Sequence, residues 1–302
     1  MSNLELPEFR EFSLSDQDIF EQYIKDYNPQ SCEYNFSNLF CWQIPSKLKW
    51  TLHKNRILIY DNLDKSMFMP FGKTLVPQEL LDLSQGLKKI GLKPEISLVT
   101  KEYIERFPEI EDFYIVKPER DYAEYVYDVN KLSDLSGKKL SKKRNLIAQF
   151  KREYPDFEVR LLPSSKDLIA KSSELAQKIF DRQEKKSDTI AQEFEALEQA
   201  LKYFKELRLE GIAILLRNQV IAFSTFSPLN SLIYDIQFEK SDLNFKGAAQ
   251  VINHETAKHL RRKCQFLNRE QDLGINGLRK AKLSYDPEEL IEFYSLIFNP
   301  CN

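Results

Sequence analysis

One order of elements runs twice through this 302-residue chain, and no linker separates the two copies. Glycine is sparse, eight in all, and no proline- or serine-rich stretch interrupts the sequence. The first copy opens at Ser15 with a helix, DIFEQYI, that has Asp16, Asp18 and Glu21 near its positive end. A helical or irregular piece, YNFSNLFCWQI, leads to three short β-rich runs, KLKWTLH, RILIYD and SMFMPFG. Pro77 then starts a helix, QELLDLSQGLKKI, that Gly91 closes. Strand EISLV, helix TKEYIERF and strands DFYIV and AEYVYDV complete the copy.

The second copy opens with the basic segment SGKKLSKKRNLIAQFKREY, stopped by Pro155, and strand FEVRLL. Two helices precede a hairpin, GIAILLR-NQ-VIAFSTFS, with Asn218-Gln219 at its tip. Strand SLIYDIQFEK, helix AAQVINHETAKHLRRK, strand CQFLNRE, the run LRKAKLSY and a last helix, PEELIEFYSLIF, follow. This is the element order of the GNAT-type N-acyltransferase fold, found twice. The expected class is therefore α+β: a tandem duplicated GNAT-like fold, with two mixed, mainly antiparallel sheets flanked by helices. The expected division is an N-terminal domain over 1–132 and a C-terminal domain, carrying the active site, over 133–302.

Composition removes other chemistries. Lys and Arg number 44 against 46 Asp and Glu, so a globally basic nucleic-acid coat is excluded while local basic faces are not. Hydrophobic residues make up 42%, enough for a packed core. No run approaches a membrane span, and the N-terminus lacks the basic start and apolar stretch of a secretory signal. A cytoplasmic protein, at most peripheral to the inner membrane face, is expected. Cys32, Cys41, Cys264 and Cys301 form no CxxC pair, and His254 and His259 are five residues apart. On a helix that spacing turns the two rings about 140° from each other, so no metal site is expected.

The candidate chemistry lies in three places. First, strand IYDIQFEK runs into a helix whose opening amides and dipole suit an anion such as the coenzyme A pyrophosphate. Lys246, Gly247, Ala248 and Ala249 form that loop, which keeps the family glycine and small last residue but has Asn244 at its first position. On the strand itself Asp235, Gln237 and Glu239 share a face, and burial would make Asp235 a usable base. Second, residues 266–287 are dense in polar groups: Asn268, Arg269, Glu270, Gln271, Asp272, Gly274, Arg279, Lys280, Lys282 and Tyr285. A strand end entering a glycine-bearing loop is where binding residues gather. Third, residues 138–152 carry seven Lys or Arg and no acid, and 258–263 carry four more, a pattern suited to RNA phosphates or anionic lipid head groups.

The strings NREQDLGINGLRKAKLSYDP (268–287), KGAAQVINHETAKHL (246–260) and YNFSNLFCW (34–42) closely resemble a bacterial family related to the soluble C-terminal domain of phosphatidylglycerol lysyltransferase. The resemblance covers about residues 20–297. It implies a tandem GNAT-like fold shared with Fem-type aminoacyl transferases and a donor that is aminoacyl-tRNA, with no cofactor required. The lysyltransferase proper joins this domain to a multi-span flippase; no such segment is seen here, so the expected acceptor is a lipid, a peptide or a small molecule. On this reading Glu270 or Asp272, with Asp235 as second choice, is the base or amine anchor. Arg269, Arg279, Lys280 and Lys282 hold phosphates, and Lys138, Lys142, Lys143 and Arg144 meet tRNA. The rival enzyme is an acetyl-coenzyme A N-acetyltransferase using the 244–249 loop. The third reading is a catalytically silent ligand-binding module.

Overall fold

The structure, a computed structural model, describes residues 6–162, 166–184 and 186–299; Cys301 lies outside them. Helices α1 (Gln17–Tyr27) and α2 (Phe36–Trp42) precede β1 (Leu48–His53), β2 (Arg56–Asp61), β3 (Ser66–Phe68) and β4 (Phe71–Gly72). Then come α3 (Pro77–Lys89), β5 (Ile96–Thr100), α4 (Lys101–Arg106), β6 (Tyr114–Pro118) and β7 (Glu124–Asp128). The middle of the chain supplies α5 (Val129–Asp134), α6 (Ser141–Glu153), β8 (Glu158–Leu161), α7 (Lys166–Asp181) and α8 (Asp188–Lys202). The rest is β9 (Glu210–Leu216), β10 (Gln219–Pro228), β11 (Ile233–Ser241), α9 (Ala248–Leu260), β12 (Phe266–Asn268), α10 (Asn276–Leu283), β13 (Glu289–Ile291) and β14 (Phe293–Phe298).

The first sheet has the order β1-β2-β3-β5-β14-β6, with β4 also on β2, and the second β13-β7-β12-β11-β10-β9-β8. Each is antiparallel except for one parallel pair, β3 with β5 and β11 with β12. In each case a helix, α3 or α9, makes the crossover between the parallel strands. The halves therefore share one plan, as the element order predicts, but they exchange their last strands. β7, at the end of the first half, lies between β12 and β13 of the second sheet, and β14 lies between β5 and β6 of the first. A division after residue 132 consequently separates neither sheet from the other half's chain. The exchange also corrects one element: the segment expected to be a final helix is β13 and β14, with Tyr294 opposite both Val99 and Pro118.

Three apolar cores fix the arrangement. Leu58, Met67, Leu80, Ile96 and Leu296 fill the first half, and Tyr127, Ile221, Ile252 and Leu267 the second. The third joins the halves, packing Phe12, Phe20 and Trp50 against Leu197, Phe204 and Phe223. Each such side chain contributes about 1.5–3 kcal/mol on burial. The halves are thus joined through this core and two exchanged strands.

Candidate active site

β11 pairs with β12 only over Ile233–Asp235 and Phe266–Asn268, whereas β11 itself runs on to Ser241. Past Asp235 the two strands part. The chain leaving β12 turns away through left-handed conformations at Glu270 (φ 57°), Leu273 (φ 49°) and Gly274 (φ 71°). Such backbone persists only where its surroundings enforce it, and it aims side chains that a regular strand would not.

Four carboxylates converge where the strands part. Glu124 comes from the exchanged strand β7, Asp235 from β11, Glu270 from the turn after β12, and Glu33 from the segment before α2. Asp235 and Glu124 are fully buried. Glu124 is well supplied with donors: Ser31 Oγ at 2.7 Å, the Cys32 amide at 3.0 Å and Asn268 Nδ2 at 2.5 Å. Gln271 Nε2 donates to Glu33 at 2.7 Å and reaches Glu124 at 3.4 Å. Asp235 receives only a long bond from Asn35 Nδ2, 3.3 Å to Oδ2. Among the described residues, Asp235 Oδ1, Gln237 Oε1 and Glu270 Oε1 have no hydrogen-bond partner. Cys32 Sγ lies within 4.8 Å of carboxylate oxygens of Asp235 and Glu270, and likewise of Glu33 and Glu124.

Among the described residues Lys282 is placed to offset these acids, and its ammonium already donates to the carbonyls of Arg269 (2.6 Å) and Gln271. Burial raises Glu33 to about 8, with Glu124 adding to the effect. Burial likewise pushes Asp235 and Glu270 well above the usual carboxylate range; Lys282 pulls Glu270 back, while neighbouring carboxylates push both further up. Burial lowers Lys282 to about 8. At about 8, Glu33 holds its proton at neutral pH.

That has a measurable consequence. An acid whose folded-state pKa is raised binds more protons folded than unfolded between its two pKa values, so stability falls as pH rises through that window. For Glu33 the window runs from its ordinary 4.5 to about 8. Differential scanning fluorimetry of the unliganded protein should give a melting temperature several degrees lower at pH 8.5 than at pH 6.5. A flat or rising profile would contradict a protonated Glu33.

Asp272, expected as a base or amine anchor, is held by donors of the protein itself. It is fully buried, and both its oxygens are occupied. Arg279 grips it at 2.8 and 2.7 Å, Tyr125 donates its hydroxyl at 2.5 Å, Arg120 reaches it at 3.3 Å, and the Gly274 amide donates at 2.9 Å. Although burial opposes it, these donors, Arg279 foremost, hold Asp272 down at about 2. Arg279, expected to hold phosphates, spends its guanidinium here and on Asp121 at 2.6 Å. Gly274 lies against Asp121, whose Oδ2 would be 2.8 Å from an added Cβ.

Arg269 is also engaged, paired with Glu239 at 2.9 Å across the gap between the parted strands and lying over the rings of Tyr127 and Tyr285. Asn268 orients rather than binds: it donates to Glu124 and accepts from the Glu270 amide at 2.9 Å. Lys280 is exposed. Thus Asn268, Glu270, Gln271, Lys282 and Asp235 are brought together, while Asp272, Arg279, Arg269 and Tyr285 form the frame around them.

The loop at the start of α9 looks different from its expected role. A Cβ on Gly247 (φ 94°) would lie 2.8 Å from the Leu146 carbonyl and 3.0 Å from Phe150 Cβ, so α6 occupies the approach. The Ala248 amide is bonded to the Phe245 carbonyl at 3.0 Å, and Lys246 is exposed. The glycine and small residues admit a helix here. Of the four cations expected to meet tRNA, Arg144 caps the end of α5 through the Leu135 and Gly137 carbonyls, and Lys143 lies 4.0 Å over the Tyr285 ring. Lys138 and Lys142 remain exposed. His254 and His259 face different partners, the Ser133 carbonyl and Glu210.

The family model for the C-terminal region of phosphatidylglycerol lysyltransferase matches residues 24–297. The chain belongs to this lysyltransferase C-terminal family. A conserved protein of Bacteroides thetaiotaomicron shares 28% identity and a TM-score of 0.88, over 97% of this chain and 100% of that one. The structure of L-PGS from Bacillus licheniformis gives a TM-score of 0.66 at 13% identity, over 98% and 95% of the two chains. A tandem GNAT protein from the clavulanic acid biosynthesis pathway gives 0.50 at 7% identity, over 98% and 99%. The fold is thus GNAT-like, and the family is that of the lysyltransferase C-terminal region. No described helix is long and apolar enough to cross a membrane.

Residue reading alone missed Ser31, Glu33, Asn35, Ser37 and Glu124 as site groups in this family member. Glu124 left a trace: it is a carboxylate heading the apolar strand EYVYD, whose other side chains up to Tyr127 are buried.

Proposed function

We propose that this protein transfers an aminoacyl group from an aminoacyl ester, carried on tRNA, to a hydroxyl or amine acceptor, with no further cofactor. The observation that carries this reading is the surplus of buried carboxylate. Glu33, Glu124, Asp235 and Glu270 lie together beside Lys282, and among the described residues Asp235 and Glu270 each keep an oxygen without a hydrogen-bond partner. Buried acids in such number are stable only when protonated or when a cationic ligand enters. An aminoacyl ester carries an ammonium one carbon from its reactive carbonyl; an acetyl thioester carries none.

Seating that ammonium lowers the carboxylate pKa values, so ligand entry releases protons and leaves Asp235 or Glu270 ionised as a base. The acceptor oxygen or nitrogen then attacks the ester carbonyl and passes its proton to that carboxylate. The carbon–oxygen bond to the ribose breaks, and the ribose hydroxyl leaves with the proton. No protein nucleophile is needed, because the ester is already activated.

The coenzyme A alternative has less support, since α6 covers Gly247. Isothermal titration separates the two donors. Amino-acid amides, which mimic the ester with its ammonium, should bind, and coenzyme A should not. Coenzyme A binding with no amide binding would overturn the reading.

A further inference from the structure

Cys32 enters the carboxylate cluster from the short turn Cys32–Tyr34 ahead of α2, and it is fully buried. Its sulfur belongs to two sets of three donor atoms. Carboxylate oxygens of Glu33 and Glu124 complete one set, and those of Asp235 and Glu270 complete the other. Within each set the atoms lie within 4.8 Å of one another. Hydrogen bonds tell the two sets apart. Glu33 and Glu124 are supplied with donors by Ser31, the Cys32 amide, Asn268 and Gln271. In the second set Asp235 Oδ1 and Glu270 Oε1 have no hydrogen-bond partner among the described residues, and Asp235 is 0% exposed. A carboxylate oxygen buried without a donor is unfavourable until a cation reaches it. The bonds that this set does receive orient it: Asn35 Nδ2 donates to Asp235 Oδ2 at 3.3 Å, and Gln271 Nε2 donates to the Cys32 sulfur at 3.5 Å.

We propose that Cys32, Asp235 and Glu270 bind one divalent ion of the zinc class, and that this ion and the donor's ammonium exclude each other. The exclusion rests on the transferase reading above and adds a control to its donor site. One thiolate and two carboxylates suit a borderline ion such as Zn²⁺ better than Mg²⁺ or Ca²⁺, which take oxygen ligands alone. Around zinc, sulfur sits at about 2.3 Å and carboxylate oxygen at about 2.0–2.2 Å, so tetrahedral donors stand roughly 3.5 Å apart. The three atoms therefore need to draw in by about 1 Å. The Asn35 and Gln271 bonds play the part that outer hydrogen bonds play at metal sites, fixing the direction of the ligands. Binding sends the thiol proton to solvent and leaves a fourth position for water. Charge is balanced as well, because a divalent ion with Lys282 beside it neutralises one thiolate and two carboxylates. Lys282 itself is held by the Arg269 and Gln271 carbonyls. Both the ion and the ammonium need Asp235 and Glu270, so one displaces the other. The ligands come from positions 32, 235 and 270, a separation that no local spacing motif reveals.

Cobalt(II), a spectroscopic stand-in for zinc, tests this. Parent protein stripped with chelator and dialysed should bind one Co²⁺ per chain. The complex should show a thiolate-to-cobalt charge-transfer band in the near ultraviolet and the visible bands of a four-coordinate site, and Zn²⁺ should bleach both. Cys32→Ser should lose the charge-transfer band although Cys41, Cys264 and Cys301 remain. Asp235→Asn replaces a carboxylate by a neutral group of the same shape and keeps the test open should Cys32→Ser not fold. It should bind Zn²⁺ at least about tenfold more weakly than the parent. In calorimetry, saturating amino-acid amide should weaken Zn²⁺ binding to the parent at least about tenfold. No charge-transfer band in the parent, or a band that survives Cys32→Ser, overturns the ion site, and amide binding to the stripped protein would then leave the donor reading standing. Zn²⁺ binding indifferent to the amide overturns the exclusion. A cobalt band without amide binding to the stripped protein would sink the donor reading and leave the ion site in place.

Discussion

An Asp235→Asn protein is expected to melt at a higher temperature than the parent at pH 8, yet to bind amino-acid amides about a hundredfold more weakly. The two effects have one origin. Asp235 is fully buried among Glu33, Glu124 and Glu270, with an oxygen that meets no donor among the described residues. Ionising it there is unfavourable, and a neutral amide of the same shape removes that cost. In the liganded protein the balance reverses, because the ammonium has lost one of its counter-charges. Removing one member of a buried charge pair typically costs about 2–5 kcal/mol, and a hundredfold loss falls within that range. Fluorimetry and calorimetry on the same sample check both halves. Glu270→Gln should behave in the same way, and the double variant should fall short of the sum, since the two groups share one ligand. A variant that lost both stability and binding would indicate a merely structural carboxylate.

Asp272→Ala is expected to do the opposite, lowering stability by about 3 kcal/mol while leaving amide affinity within a few-fold wherever the protein remains folded. The carboxylate accepts from Arg279, Arg120, Tyr125 and the Gly274 amide, and its removal takes a bond from each at once, leaving Arg279 only Asp121. Asp272→Asn should be milder but still clearly destabilised, because an amide cannot accept the paired bonds of Arg279. The pH dependence also has the opposite sign to that of the acid cluster. Asp272 is depressed to about 2 from an ordinary 3.8. Its contribution is therefore complete at neutral pH and is lost as pH falls below about 4 towards 2. Acid unfolding monitored by circular dichroism should begin at higher pH in the variant. A marked loss of amide binding by a folded Asp272 variant would return this residue to the reactive group.

The duplicated plan was legible because periodicity and turn residues are local. What escaped the residues was which sheet each final strand joins. EYVYD and FYSLIF would pair equally well at home or across, so the exchange of β7 and β14 leaves no local mark. The misread final helix has a physical cause too: Pro287, Glu288 and Glu289 imitate a helix start, while tertiary pairing with β5 and β6 decides the outcome. In the site, Asp235 stands out as a carboxylate within an apolar strand, and Asn268 and Glu270 as polar groups at the end of another. Their role could be seen; that of Asn35 could not, because it meets Asp235 across 200 residues of chain. Gly247 illustrates the converse. A glycine at a helix start suggests a ligand, but the group that approaches it is the backbone of α6.

The most direct measurement is the number of protons exchanged when an amino-acid amide binds, from calorimetry at pH 7 in buffers of different ionisation enthalpy, with chelator present so that no divalent ion takes the ammonium's place. If four crowded acids await a positive charge, binding releases about one proton per ligand, and the release disappears in Asp235→Asn. Binding without proton release, or no binding at any accessible concentration, would contradict the cluster as the seat of the donor.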